Sequence, residues 1–170
     1  LGTGSGCLAV TLALELKDAS VWGTDVSTDA VELARENAQR LEAEVDFRTA
    51  DGVEGLSAIV KEQGAPFDLI VSNPPYIEPS EADSLAPEVR EYEPEVALFA
   101  PDGDPDHWVR ALLDAGKELL CDGGSVLVEL GHQQGERALS LASKRGWSAR
   151  LHKDLAGIER VFEGQPPRGD

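Results

Sequence analysis

The chain has 170 residues, 41% of them hydrophobic, with 15 basic against 32 acidic side chains and a formal net charge of −17. Length and apolar content fit one globular domain with a full core and exclude a disordered chain. The charge opposes phosphate backbones and the Lys and Arg residues are scattered without a basic cluster, so a protein or small-molecule substrate is favoured over direct nucleic-acid binding.

No apolar run approaches the ~20 residues of a membrane span, and no signal peptide is evident. Cys7 and Cys121 lie far apart and match no metal-ligand spacing. They are expected as free thiols in a reducing, cytoplasmic setting. His107, His132 and His152 stand in different segments without a carboxylate cluster, so no metal site is expected. The chain opens at Leu1 inside a motif, and is read as a piece of a longer protein that lacks its first core strand.

Residues 1–6, Leu-Gly-Thr-Gly-Ser-Gly, form a glycine-rich turn before a helix over about 7–16, with Leu8, Ala9, Leu12 and Ala13 at helical spacing. Gly2, Gly4 and Gly6, with Thr3 between them, let the backbone approach a ligand closely, and the helix start offers free N–H donors. A strand over 20–25 follows and ends in Asp25, 19 residues after Gly6. That matches the spacing of roughly 20 residues for an acid that accepts ribose hydroxyls; a turn or capping acid is the plainer reading. Ser27 or Thr28 caps a helix over 29–41 with Val31, Ala34, Ala38 and Leu41 on its inner face. A strand over 45–49 leads to Asp51, which reads either as a turn acid or as an acceptor for the exocyclic amine of a purine. A short helix over 56–63 is closed by Gly64 and Pro66.

Residues 67–72 read as a buried strand, and Asn73-Pro74-Pro75-Tyr76 follow at its carboxyl end. This turn suits the task of holding a planar NH2 group. The Asn73 side-chain oxygen accepts one N–H and the Pro74 carbonyl the other, since proline lacks a donor but keeps its acceptor. Tyr76 packs flat on the planar group. The nitrogen lone pair is left facing a methyl donor. The plainer reading is a rigid turn.

Residues 77–106 hold five of the ten prolines and ten acids against one cation, Arg90. They are expected as a long, mostly irregular insertion, a lid or binding loop, anchored by Tyr92, Val96, Leu98 and Phe99; a solvated acidic linker is the alternative. A helix over 105–120 is predicted with Trp108, Leu112, Ala115 and Leu119 inward, then a turn at 122–124 and a doubly covered strand over 125–130. A helix over 135–145 and strands over 147–152 and 159–163 complete the domain, read as 1–163, with a tail over 164–170. Alternating strands and helices imply an α/β fold with an open, mostly parallel sheet, whose ligands sit at strand carboxyl ends.

With these residues in place, the chain resembles the Rossmann-like S-adenosylmethionine-dependent methyltransferases, and within them the HemK-like protein-glutamine N5-methyltransferases that modify peptide chain release factors. The resemblance rests on the turn at 1–6, Asp25, Asn73-Pro74-Pro75-Tyr76-Ile77, Tyr92-Glu93-Pro94 with Ala97-Leu98, Glu129-Leu130-Gly131-His132-Gln133-Gln134-Gly135, and Asp154-Leu155-Ala156-Gly157 with Glu159-Arg160-Val161. It implies a seven-stranded sheet with an antiparallel last strand. It implies that Gly2, Thr3, Gly4 and Gly6 approach S-adenosylmethionine, that Asp25 holds its ribose and Asp51 its adenine amine, and that Asn73 also borders the cofactor. Asn73, Pro74, Pro75 and Tyr76 would hold a substrate glutamine, with Asn73, Pro74 and Tyr76 the catalytic set. The implied partner is a release factor. The family also carries an N-terminal helical domain, for which this sequence has no counterpart. Two rivals use the same turn: a ribosomal-protein glutamine methyltransferase and a DNA or RNA adenine-N6 methyltransferase. A non-catalytic nucleotide-binding domain is the third, and it has no use for an intact Asn-Pro-Pro-Tyr turn.

Overall fold

A computed structural model describes residues 1–167. They fall into two units, Leu1–Ala65 and the described residues from Pro66 onward.

The first unit runs α1 (Cys7–Glu15), β1 (Trp22–Asp25), α2 (Thr28–Arg40), β2 (Asp46–Thr49) and α3 (Gly52–Gln63). β1 and β2 pair in parallel, with Trp22 opposite Asp46 and Asp25 opposite Thr49. A parallel pair needs a crossover, and α2 supplies it. Ser27 caps α2, its hydroxyl accepting the Ala30 N–H at 3.2 Å. Ala9, Val10, Val31, Ala34, Ala38 and Phe47 form one buried cluster. The inner face of α2 is therefore Val31, Ala34 and Ala38, while Leu41, expected beside them, is 56% exposed. On α1 the buried side chains are Ala9 and Val10, and Leu8 is 49% exposed. α3 begins four residues earlier than its sequence pattern predicts, at Gly52, and ends at Gly64 in the left-handed conformation, as a closing glycine should.

The second unit contains β3 (Phe67–Ser72), α4 (Pro87–Tyr92), α5 (Glu95–Leu98), α6 (His107–Leu119), β4 (Leu120–Glu129), α7 (Gly135–Lys144), β5 (Ser148–Lys153) and β6 (Glu159–Gln165). Its sheet has the order β3-β4-β6-β5. β3 and β4 are parallel, and β6 runs antiparallel to both β4 and β5. The last strand thus lies inside the sheet, and β5 takes the edge. Val126, Val128 and Phe162 are fully buried along its middle, and Leu112, Leu113 and Leu119 of α6 are buried as well.

The described residues carry six strands, in sheets of two and four, where the resemblance implied seven with the first largely missing from this chain. Two expectations change here. Residues 77–106 are not irregular: two 3-10 turns, Pro79–Ser84 and Pro101–Gly103, flank α4 and α5. Pro79, Pro87 and Pro101 each stand at the start of one of these elements, where a missing N–H costs nothing. Finally, β6 continues through Gly164, paired with Val126 and Ala149, to Gln165. The first two residues of the expected tail therefore belong to the sheet, and residues 168–170 lie outside the described residues.

Candidate active site

In the first unit the glycine turn leads from the chain start into α1. Gly2, Gly4 and Gly6 have φ of 65°, 51° and 81°, a region in which a Cβ is strained. Gly6 is also fixed by packing, because a Cβ there would stand 2.9 Å from the Ala34 Cβ. At Gly2 and Gly4 a Cβ would meet nothing within 4 Å, so the surface beside them is open. Inside the turn the Gly6 N–H donates to the Thr3 carbonyl at 2.8 Å, and three further bonds tie it to its surroundings. The Thr3 N–H donates to the Thr24 carbonyl at 2.9 Å, the Gly4 N–H to Asp25 Oδ2 at 2.8 Å, and Asn37 Nδ2 to the Ser5 carbonyl at 2.9 Å.

Asp25 Oδ1 also accepts the Ser27 N–H at 3.0 Å. Each of its oxygens keeps a further acceptor site, as a carboxylate oxygen has two. Asp51 stands at the N-cap of α3, yet its side chain makes no capping bond and the residue is exposed. The Ala50 N–H donates to the Asp25 carbonyl at 2.8 Å, so Asp25 and Asp51 occupy the same end of neighbouring strands. The turn, Asp25 and Asp51 offer open backbone and unspent carboxylate acceptors at one strand edge. That donor and acceptor set fits a ligand bearing vicinal hydroxyls and an amine.

In the second unit β3 ends at Ser72, 2% exposed, and the turn follows. Asn73 is exposed, Pro74 is buried, and Pro75 and Tyr76 are half-buried. Among the described residues, neither the Asn73 side-chain amide nor the Pro74 carbonyl takes part in a hydrogen bond. Two consecutive prolines fix two φ angles, so the turn keeps its shape without spending these acceptors. Just downstream it is anchored by backbone: the Ile77 N–H donates to the Leu98 carbonyl at 3.1 Å, and the Ala100 N–H to the Ile77 carbonyl at 2.9 Å.

The Tyr76 ring lies against Gly131, where a Cβ would come within 2.7 Å of its Cδ2 and 3.1 Å of its Cε2. Burial pushes the Tyr76 hydroxyl above its ordinary pKa; the charge of Glu129 adds to this and that of Arg160 opposes it. The ring therefore stays neutral at physiological pH. Leu130, after β4, donates its N–H to the Arg160 carbonyl at 2.8 Å, and Arg160 Nη1 donates to the Leu130 carbonyl at 3.2 Å. Asp154 Oδ1 accepts the Ala156 and Ile158 N–H groups, both at 2.9 Å, shaping the turn before β6. The carboxyl ends of β3 and β4 and the start of β6 thus bring three separate sequence blocks to one edge of this sheet.

Gly2, Thr3, Gly4, Gly6, Asp25 and Asp51 gather in the first unit, and Asn73, Pro74, Pro75 and Tyr76 in the second. Three supporting residues escaped the sequence reading: Asn37 beside the glycine turn, and Gly131 and Gln134 behind Tyr76; Ser27, expected only as a helix cap, also donates its N–H to Asp25. Gly131 and Gln134 lie in a block quoted for the resemblance without a role, and that was the available signal. Tyr92 and Val96, expected as anchors, are 81% and 59% exposed, whereas Leu98 and Phe99 are half-buried and pack down.

A family model described as the methyltransferase small domain matches residues 1–89, a stretch that takes in the glycine turn, Asp25, Asp51 and Asn73–Tyr76. The chain belongs to this methyltransferase family. Membership implies use of S-adenosylmethionine. A release factor glutamine methyltransferase of Bacteroides thetaiotaomicron is 37% identical over 168 residues, covering 95% of this chain and 57% of the relative. Another, of Geobacter sulfurreducens, is 42% identical over 168 residues, covering 97% of this chain and 56% of the relative. The chain thus spans little more than half the length of these relatives. In fold, it is similar to the ribosomal protein L11 methylase of Lactobacillus delbrueckii subsp. bulgaricus, with a TM-score of 0.61 at 20% identity over 98% of this chain and 67% of that one. The fold is that of the Rossmann-like methyltransferases, with parallel and antiparallel strands as the resemblance implied. Among the described residues no helix is long and apolar enough to cross a membrane.

Proposed function

We propose that this chain is the catalytic part of an S-adenosylmethionine-dependent enzyme that methylates the N5 nitrogen of a glutamine side chain in peptide chain release factors, acting in the cytoplasm without direct nucleic-acid binding. One observation carries the reading: Asn73 and Pro74, adjacent in sequence, present two acceptors that no other described residue uses, in a turn made rigid by two prolines. A primary amide has two N–H donors in one plane and matches such a pair. The names of the relatives at 37% and 42% identity support release factors as the substrate class.

Gly2, Thr3, Gly4 and Gly6 would pass closely by the cofactor, Asp25 would accept its ribose hydroxyls, Asp51 would accept its adenine amine, and Asn73 would border it. Bound S-adenosylmethionine supplies an electrophilic methyl group on a sulfonium centre. An amide nitrogen is a weak nucleophile because its lone pair is delocalised into the carbonyl. Asn73 Oδ1 and the Pro74 carbonyl, each accepting one N–H, raise electron density on nitrogen and fix its plane. Pro75 stiffens the turn and Tyr76 packs against the amide. Holding reacting groups aligned lowers the barrier by an entropic route that needs no strong base. As the N–C bond forms and the S–C bond breaks, the nitrogen gains a positive charge. It then loses one of its two protons to water.

The test offers the full-length protein labelled S-adenosylmethionine together with a release factor, a ribosomal protein or adenine-containing DNA. Label on a release-factor glutamine is the expected outcome. Label on DNA alone, or on the ribosomal protein alone, would overturn the substrate assignment.

A further inference from the structure

Among the described residues, Gln134 is one of three buried polar side chains, at 3% exposure. Its side chain is fully engaged. Oε1 accepts the Gly131 N–H, while Nε2 donates to the Pro105 carbonyl at 2.6 Å and to Asp106 Oδ1 at 3.3 Å. The other Asp106 oxygen pairs with Arg137 at 2.9 Å. The orientation of the amide is forced, because a flipped group would set its oxygen against a carbonyl and a carboxylate. Gly131 follows the last β4–β6 bond, made by Leu130, so Gln134 satisfies an N–H beyond the reach of the ladder. A Cβ on Gly131 would stand 2.7 Å from the Tyr76 ring and 2.9 Å from Gln134 Oε1. The glycine backbone is therefore pressed between the two. Gln133, just before, is held at φ 66°, a strained conformation for a residue with a side chain, and this too fixes where Gln134 sits.

We propose that Gln134 is a positioning residue for Tyr76: it sets the Gly131 backbone on which the ring rests, and locks that backbone to the start of α6 through Pro105 and Asp106. The inference rests on the reading of Tyr76 as the ring that packs against the substrate amide. It adds a residue that touches neither substrate nor cofactor, and it ties the far end of segment 77–106 to the substrate turn.

The test places 3-fluorotyrosine at position 76 alone in the full-length protein and records its fluorine resonance, which needs no substrate. Gln134→Met keeps side-chain length and loses every polar bond. Gln134→Glu is the milder variant and keeps the experiment open where Gln134→Met fails to fold. It retains the acceptor for Gly131 and sets a carboxylate against Pro105 and Asp106. Both variants are expected to shift and broaden the resonance. In Gln134→Glu the signal should return toward the wild-type position on acidification, since a protonated Glu regains a donor. In methyl transfer, kcat should fall roughly 10- to 100-fold, the range for a misplaced contact, with KM for S-adenosylmethionine unchanged. A resonance that stays at the wild-type position in a folded variant, even one with a lowered melting temperature, makes Gln134 merely structural and overturns the proposal. If the wild-type protein methylates no release-factor glutamine, the substrate reading fails by itself, and the fluorine comparison still decides this one.

Discussion

The glycine turn at residues 2–6 is held by hydrogen bonds that it donates to Thr24 and Asp25 and accepts from Asn37, whereas the turn at residues 73–76 is held by its prolines and by packing on Gly131. The two devices leave different groups for a ligand. In the first, Asp25, the proposed ribose acceptor, is also part of the scaffold: its carboxylate accepts the backbone N–H groups of Gly4 and Ser27. In the second, the Asn73 side-chain amide and the Pro74 carbonyl make no hydrogen bond to the scaffold among the described residues. Binding and stability should therefore be coupled at the glycine turn and separable at the Asn-Pro-Pro-Tyr turn.

The largest expected effect tests the separable side. Asn73→Ala removes one acceptor from the proposed amide clamp and should lower kcat about 10²- to 10³-fold, the range seen when one preorganised polar contact to the reacting group is lost. The melting temperature and the affinity for S-adenosylmethionine, followed by calorimetry, should barely change. A fall in stability comparable to the fall in rate would break the distinction between the turns. Asp25→Ala tests the coupled side. Losing an acceptor for ribose hydroxyls should weaken S-adenosylmethionine binding by roughly 10-fold or more, at about 1.5–3 kcal/mol per bond to a charged group. The same change strands the Gly4 and Ser27 N–H groups, so the urea midpoint should fall with it. Weakened binding with an unchanged midpoint would show that Asp25 is no part of the scaffold. Gly6→Ala comes next. The new methyl meets Ala34 at 2.9 Å in a left-handed backbone, and unfolding in urea should show a loss of about 1–3 kcal/mol, as overpacking usually gives.

The same contrast explains what the sequence makes legible. Glycines at positive φ, paired prolines after a strand and an acid at a strand end are residue types dictated by local backbone chemistry, so both turns can be read without the fold. What covers a residue is a property of distant chain, and there the reading fails. Helical spacing marks Leu8 and Leu41 as apolar positions but does not say that Ala9, Val10 and Ala38 take the buried places. Prolines in 77–106 read as breakers, although Pro79, Pro87 and Pro101 begin short helical turns. The glycines at 123 and 124 read as a turn, yet β4 runs through them with an irregularity that shifts its register against β3. Gln134 is the sharpest case: a polar residue in a polar run gives no sign that it is buried, and only its three partners account for it.

The smallest expected effect lies away from both turns, on the outer surface of the second unit. Arg145, just after α7, donates to Asp114 of α6 at 2.5 and 3.1 Å, and its hydrogen bonds hold the Asp114 carboxyl below the ordinary carboxylate range. Arg110 does the same to Asp104. A carboxyl depressed in the folded state stabilises the fold above its unfolded pKa, near 3.9, and that contribution is lost as pH falls through the lower folded value. The melting temperature should thus be flat from about pH 7 to pH 5 on this account and fall at more acid pH. Asp114 is 58% exposed, so Asp114→Asn should cost only ~0.5 kcal/mol or less at neutral pH. The gap between wild type and variant should close on acidification, while methyl transfer stays unchanged throughout. A gap that persists undiminished at the acid end would assign the loss to packing, and a fall in methyl transfer would mean that the α6–α7 contact reaches the substrate turn through Asp106 and Gln134.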